Sequence, residues 1–386
     1  MPKYHKAFYL LHAIGFLLAL STALPAYVQS SFLEGFMNLQ MLSLYLTGIM
    51  LLTLIMLMIY PHIINKLTNL RSQLLVTIIS IIALLILGVS KQPIVILIIF
   101  AVQYIGLNLL FINSDVALEN ISDDAHTGVI RGRHLTILNI GWLISPLFMG
   151  LIVSLGNYQL IYFVAGLIMI LNLFVVYSKR DSLSDHKEYK VHKIRNLLKS
   201  LYRKKNLRKI FTLSFVLNFF YCLMVLYIPI YLNQNIGLEW SAISLIFTVM
   251  LLPFVIFGLP AGKIADKWLG EKEIIITGII LMFITTGMIF FVNSNSIVLW
   301  ALLLFIGRTG AAIFEAMQEA YFFKHVTGDD LDLINLFRDL RPMAWLIGTG
   351  ISVIILHFYP VQYIFIFLAL ILFFSLWPAI TIKDTK

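Results

Sequence analysis

Charge is what this sequence has least of. Only 12% of its 386 residues are Asp, Glu, Lys or Arg, while 60% are hydrophobic and the mean hydropathy is +0.93. A soluble globular domain carries about 25% charged residues, so this chain cannot cover itself with an ordinary water-facing surface. It has one cysteine, Cys222, which excludes a disulfide framework and a Cys-based metal site. No Gly-Lys-Ser/Thr phosphate loop occurs, which leaves ATP-driven pumping within the chain unsupported. No His/Cys/carboxylate spacing suggests a metal and no nucleophile–base pair is recognisable, so neither an enzyme nor a cofactor is expected.

What the chain has instead is long uncharged runs. Ser72–Ser90 is bounded by Arg71 and Lys91, and the 45 residues His134–Ser178 contain no Asp, Glu, Lys or Arg. A hydrocarbon core of about 30 Å needs about 20 apolar helical residues. Cutting at charges, prolines and Asn/Gly turns predicts an all-α membrane protein of twelve spans. They fall near 7–28, 38–60, 72–90, 93–116, 134–156, 159–178, 210–232, 241–262, 274–293, 297–320, 340–357 and 361–381. The first is expected to be a retained span rather than a cleaved leader, because no small-residue cleavage site follows it.

The distribution of Lys and Arg gives the orientation. With the N-terminus in the cytoplasm, 26 of the 28 fall in the tails, the inside loops and the long middle segment. The exceptions are Lys91 and Arg308. This asymmetry follows the positive-inside rule, so both termini are expected in the cytoplasm and the protein in the plasma (inner) membrane. The net charge of +9 then belongs to loops facing anionic lipid and not to nucleic-acid binding. The segment 179–209 holds twelve Lys/Arg against Asp181, Asp185 and Glu188. It divides the chain into six-span halves, 1–178 and 210–386. Ile194, Leu197, Leu198 and Leu201 within it suit either a helix on the inner membrane surface or a solvated linker.

The halves read as copies. Pro25-Ala-Tyr27 at the end of the first span returns as Pro229-Ile-Tyr231 in the seventh, 204 positions later. Phe100-Ala-Val-Gln103 matches Phe305-Ile-Gly-Arg308 at an offset of 205. Repeated halves are how many secondary transporters are built.

The loop after the eighth span reads Gly262-Lys-Ile-Ala265-Asp266-Lys267-Trp-Leu-Gly270-Glu-Lys272. A glycine, an acid followed by a base, then glycine and further bases resembles the loop signature of the major facilitator superfamily. The resemblance implies a latch on the cytoplasmic side, with Gly262 allowing close helix packing, Asp266 and Lys267 pairing or meeting a helix end, and Gly270 making a tight turn. The equivalent first-half loop, Pro61–Arg71, has Asn65 in place of the acid and neither glycine. Along the fifth span, Gly132, Gly141, Pro146 and Gly150 resemble the glycine-proline pattern of the family's antiporters. The same residues also suit ordinary close packing of membrane helices. The family resemblance implies a monomeric twelve-helix transporter with no cofactor, binding a small molecule within the bilayer.

Ionisable groups within a bilayer cost at least ~2.5–3.5 kcal/mol each near its centre, so the charges of the tenth span are the first functional candidates. Arg308, Glu315 and Glu319 share one helical face. Arg308 and Glu315 are ~10 Å apart along the axis, which leaves room for a third partner or a substrate. Arg308 is expected near the midplane as an anion-binding or gating residue, and Glu315 as a possible proton carrier. Glu319 is expected to pair with Arg338 or Arg341 in an inner gate, mirrored by Asp115 and Glu119 with Arg131 and Arg133. Gln103 and Asn108 are candidates for the cavity wall or for an amide bond between helices. Tyr27 and Tyr231 fit an outer vestibule or an interfacial belt. His12 is the only titratable group of the first span. The expected activity is proton-coupled export of a small organic solute, as in multidrug efflux. The alternatives are uptake or facilitated transport of a sugar or organic anion, and a non-transporting receptor or scaffold.

Overall fold

A computed structural model of the full chain describes residues 2–121, 127–155, 157–178, 204–257, 260, 262, 265, 270–326 and 331–383, without side-chain surroundings for 2–8, 119–121, 127–132, 331, 332, 334, 335 and 338. The described chain is helical from end to end. Its helices are α1 (Pro2–Ala26), short α2 (Gln29–Glu34), α3 (Leu39–Leu67), α4 (Asn69–Val89), α5 (Pro93–Ile121), α6 (Thr127–Ser154) and α7 (Tyr158–Ser178), then α8 (Lys205–Ile230), α9 (Trp240–Ile256), α10 (Glu271–Phe291), α11 (Ile297–Lys324), α12 (Leu331–Phe358) and α13 (Gln362–Thr381). Eleven of them are long and apolar enough to cross a membrane; α9 is as apolar but spans 17 residues. The expected eighth span runs beyond α9 into residues that are only partly described.

The packing is that of a bilayer protein turned inside out. Leu155, Phe291, Trp377 and Ile94 point outward, each more than 70% exposed. Small polar residues such as Ser21, Ser43, Thr53, Asn113 and Asn172 are buried. With no water in hydrocarbon, such groups must find partners within the protein. Thr22, Ser43 and Thr47 donate to carbonyls one turn back along their own helices. Others tie helices together, as Ser21 Oγ does to the Ala165 carbonyl at 3.0 Å and Asn172 Nδ2 to the Ile14 carbonyl at 2.8 Å.

The chain separates into two compact units, Met1–Phe36 with Leu51–Val191 and Met37–Met50 with His192–Lys386. The division crosses α3, whose first turns group with the second unit. There Ser43 Oγ and the Tyr227 hydroxyl are 2.6 Å apart. Within the first unit α1 packs on α5, α6 and α7, and α4 on α5 and α7; within the second α8 packs on α11, α12 and α13, and α10 on α11 and α13. These pairings of the first unit have counterparts six spans later, whereas the packing of α9 on α11 has none of similar extent between α3 and α5. This repeat is one of packing, seen where the sequence match is only a few residues long.

The loops repeat as well, with a register the sequence misplaces. Gly270, which precedes α10, lies at φ 78°, and Thr68, which precedes α4, at φ 76°. The two sit 270 − 68 = 202 positions apart, as do the helix starts Asn69 and Glu271. Thr68 is therefore the structural counterpart of Gly270, not Asn69 as the aligned loops suggest.

Candidate functional site

The site lies within the second unit and depends on how closely α10 and α11 cross. A Cβ placed on Gly278 would lie 2.6 Å from the Gly310 carbonyl oxygen, and one on Gly310 would lie 2.5 Å from that of Gly278. Only two glycines allow this backbone contact. One turn away, a Cβ on Gly307 would lie 2.7 Å from Thr285 Oγ1. This crossing fixes Arg308, between Gly307 and Gly310, against the interior.

Arg308 is 3% exposed, and its Nε and Nη2 are buried without a hydrogen-bond partner. Its Cζ lies 5.5 Å from the Phe220 ring centroid and 5.3 Å from that of Tyr221, both on α8. Such cation–aromatic contacts are worth ~0.5–2 kcal/mol. They do not replace the hydrogen bonds a guanidinium loses on leaving water. A small cavity of about 10 Å³, lined by Phe220, Met224, Thr285, Thr286, Gly307 and Arg308 among others, adjoins the group. That is room for about one water, so anything larger would need the walls to part.

Glu315 completes the set. The Tyr221 hydroxyl donates to its Oε2 at 2.8 Å. Tyr221 is therefore the intermediary between the two charges, its ring beneath Arg308 and its hydroxyl on Glu315. Among the described residues no ion pair joins Arg308 to Glu315. The sequence leaves a gap of ~10 Å between them, and α8 fills it with a residue that nothing in an apolar run such as Phe219-Phe220-Tyr221 singles out.

The repeat-related position in the first unit holds Gln103. It is 3% exposed, and neither Nε2 nor Oε1 has a partner. The amide bond between helices expected of it is not formed. Ser80 of α4 lies against Gly106 of α5, where a Cβ would be 2.8 Å from its Oγ. Its Oγ is likewise buried without a partner. Asn108 is no bridge between helices either, because its Nδ2 bonds the Tyr104 carbonyl of its own helix at 2.8 Å.

Other expected residues fall elsewhere. Tyr27 is 2% exposed with its ring edge on Trp142, and Tyr231 is 6% exposed, packed on Trp300 and Phe365. Both are buried among residues of their own units. A Cβ on Gly262 would meet nothing within 4 Å among the described residues. Asp266 and Lys267 lie outside the described residues. The charged contact the structure does show beside this loop is one that no motif in the sequence signals. Lys324, in the last turn of α11, pairs with Glu271, which is 2% exposed in the first turn of α10. Each charge stands at the helix end that favours it.

Glu319 and Asp115 are half-buried and Arg341 is exposed, while the side chains of Glu119, Arg131 and Arg338 lie outside those described. In α6, Gly141 abuts α1, where a Cβ would lie 3.1 Å from Ala19 Cβ. Ser145 Oγ bonds the Gly141 carbonyl at 2.8 Å beside Pro146, and Gly150 is buried. Gly132 lies in α6 among the residues whose surroundings are not described.

Two units of apolar helices, holding a buried Gln103 on α5 and a buried Arg308 on α11, define a polytopic membrane protein. The chain belongs to the Major Facilitator Superfamily, whose sequence profile matches residues 9–340. Among curated proteins no sequence match is found. The fold is shared with solved transporters. A peptide transporter, POT, in complex with sulfate superposes with a TM-score of 0.73 at 13% identity, over 98% of this chain and 93% of its own. A nucleoside transporter, NupG, does so with 0.73 at 12% identity, over 97% and 99%.

Proposed function

We propose that the protein is a secondary transporter of small organic anions, with Arg308 as the group that holds the negative charge. The observation that carries this reading is a buried guanidinium with two partnerless nitrogens beside a cavity. A buried charge without hydrogen bonds is expensive, and a carboxylate or sulfonate would supply the missing acceptors in a fork geometry suited to arginine. The aromatic rings of Phe220 and Tyr221 would flank the bound group. A cationic drug is a poor fit at this position.

Glu315 supplies the coupling in this reading. At ~10 Å and an effective dielectric of ~20, its charge and that of Arg308 interact by ~1.7 kcal/mol. Protonating Glu315 removes that compensation and strengthens anion binding at Arg308 about tenfold, and by linkage the anion strengthens proton binding equally. Mutual strengthening makes proton and anion move in the same direction. The glycine-proline pattern of α6 supports a second reading, proton-driven export. The contact of Gly141 with α1 is also accounted for by close packing alone. We also assign Asp266 and Lys267 to a cytoplasmic latch, and Glu319 with Arg338 or Arg341, and Asp115 and Glu119 with Arg131, to inner gates. The protein would act as a monomer in the plasma membrane with both termini in the cytoplasm.

Flux into proteoliposomes under imposed pH gradients tests this. Sulfate, the ion in the peptide transporter's complex, is a first probe, followed by carboxylates of increasing size. Anion accumulation driven by an inward proton gradient and abolished in Glu315→Gln supports the reading. Anion expulsion under the same gradient supports the export alternative, and flux of neutral solutes alone contradicts both.

A further inference from the structure

The first unit holds a pair of titratable rings that the Arg308 site does not use. His12 of α1 and His134 of α6 stack with centroids 5.8 Å apart and planes 28° apart. His134 is 4% exposed, and the Nδ1 atoms of both rings are buried without a hydrogen-bond partner. The seat is built for the ring. A Cβ on Gly15 would lie 2.4 Å from His134 Cε1, so His134 rests on α1 backbone where a side chain is missing. From α5, Ser114 Oγ lies 3.4 Å from His134 Nε2.

We propose that His12 and His134 together form a single-proton binding site of the first unit, separate from the Arg308–Glu315 set. The charged groups facing the pair set its capacity. Arg133 of α6 acts on His12 and Asp115 of α5 acts on His134. From α7, packed on α1, no charge contributes, because Tyr158–Ser178 contains none. A first proton gains Asp115 as its counter-charge. A second would set two imidazolium ions 5.8 Å apart beside Arg133. Two groups coupled this tightly take up protons as a unit and not as independent residues. The pair lies toward the end of α1 and α6 that the Lys/Arg distribution assigns to the cytoplasm. It would therefore register internal pH at the contact between these two helices.

The test needs no transported solute, so its outcome is independent of the anion reading. Full-length protein in phosphatidylcholine nanodiscs is stepped from about pH 8 to about pH 5, and imidazolium bands are followed by infrared difference spectroscopy. The variants are His12→Gln, His134→Gln, the double variant and Gly15→Ala, which keeps both rings but displaces His134. The wild type should show a one-proton step that the double variant loses. Each single variant should keep a one-proton step, because the ring left behind takes the proton the pair shares, and Gly15→Ala, which parts the rings, should admit a second proton. The proposal is overturned if one single variant abolishes the step and the other leaves it unchanged. It is also overturned if two protons enter the wild type, or if the double variant's spectrum equals the wild type's. Should His134→Gln fail to fold, His12→Gln and Gly15→Ala carry the same comparison.

Discussion

Replacing Thr68 by glycine should make the protein more stable, although it removes a side chain from an ordered turn. Thr68 lies at φ 76° and ψ 156°, a region essentially reserved for glycine. A non-glycine residue held there costs ~1–3 kcal/mol. What Thr68 returns is small. Its Oγ1 accepts from the Arg71 N–H at 3.5 Å, and replacing a threonine cap by glycine loses only a few tenths of a kcal/mol. Glycine's greater freedom in the unfolded chain takes back ~0.5–1 kcal/mol. The balance is a gain of ~1 kcal/mol, which for a chain of this size raises the melting temperature by ~2 °C. The mirror experiment is Gly270→Thr at φ 78°, which should lower it by a similar amount. Thermal unfolding of both purified variants in one detergent is the assay. A lower melting temperature for Thr68→Gly, or an unchanged one for Gly270→Thr, would refute the equivalence of the two turns.

Further outcomes follow from the same packing. Gly310→Ala must push α11 away from the Gly278 carbonyl, so it should lower the folded yield sharply in size-exclusion profiles, whereas Gly307→Ala meets only a side chain and should be milder. Lys324→Met removes the Lys324 charge from the buried Glu271 and should cost ~1–3 kcal/mol in a thermal melt, with Glu271→Gln costing less. Tyr221→Phe removes the donor to the Glu315 carboxylate and should move the pH dependence of anion binding to higher pH while leaving the fold intact by tryptophan fluorescence. Arg308→Gln should melt no lower than the wild type in the absence of ligand, because no ion pair among the described residues is lost with it.

Parts of this architecture are legible in the sequence for a physical reason. Uncharged runs of sufficient length announce spans, and a charge within such a run is expensive enough to mark Arg308 and Glu315 by residue type and position alone. The repeat is visible at Pro25/Pro229 and Gln103/Arg308. What escapes is whatever depends on helices far apart in the chain. Tyr221 is one aromatic residue among many in α8, and only the fold shows that its hydroxyl reaches Glu315. The orphaned amide of Gln103 and the interior packing of Tyr27 and Tyr231 likewise depend on neighbours that no local pattern names. Thr68 is missed because a threonine at positive φ breaks the rule by which turns are read from glycine.

The central claim is that Arg308 binds the negative charge of the transported molecule. Its most direct test is a thermal-shift titration of purified wild type and Arg308→Gln against sulfate, small carboxylates and their neutral amide counterparts, since a ligand of the folded state raises its melting point. Stabilisation by the anions alone, absent from Arg308→Gln, is the predicted result. Equal stabilisation of both proteins, or a preference for the neutral amides, would contradict it.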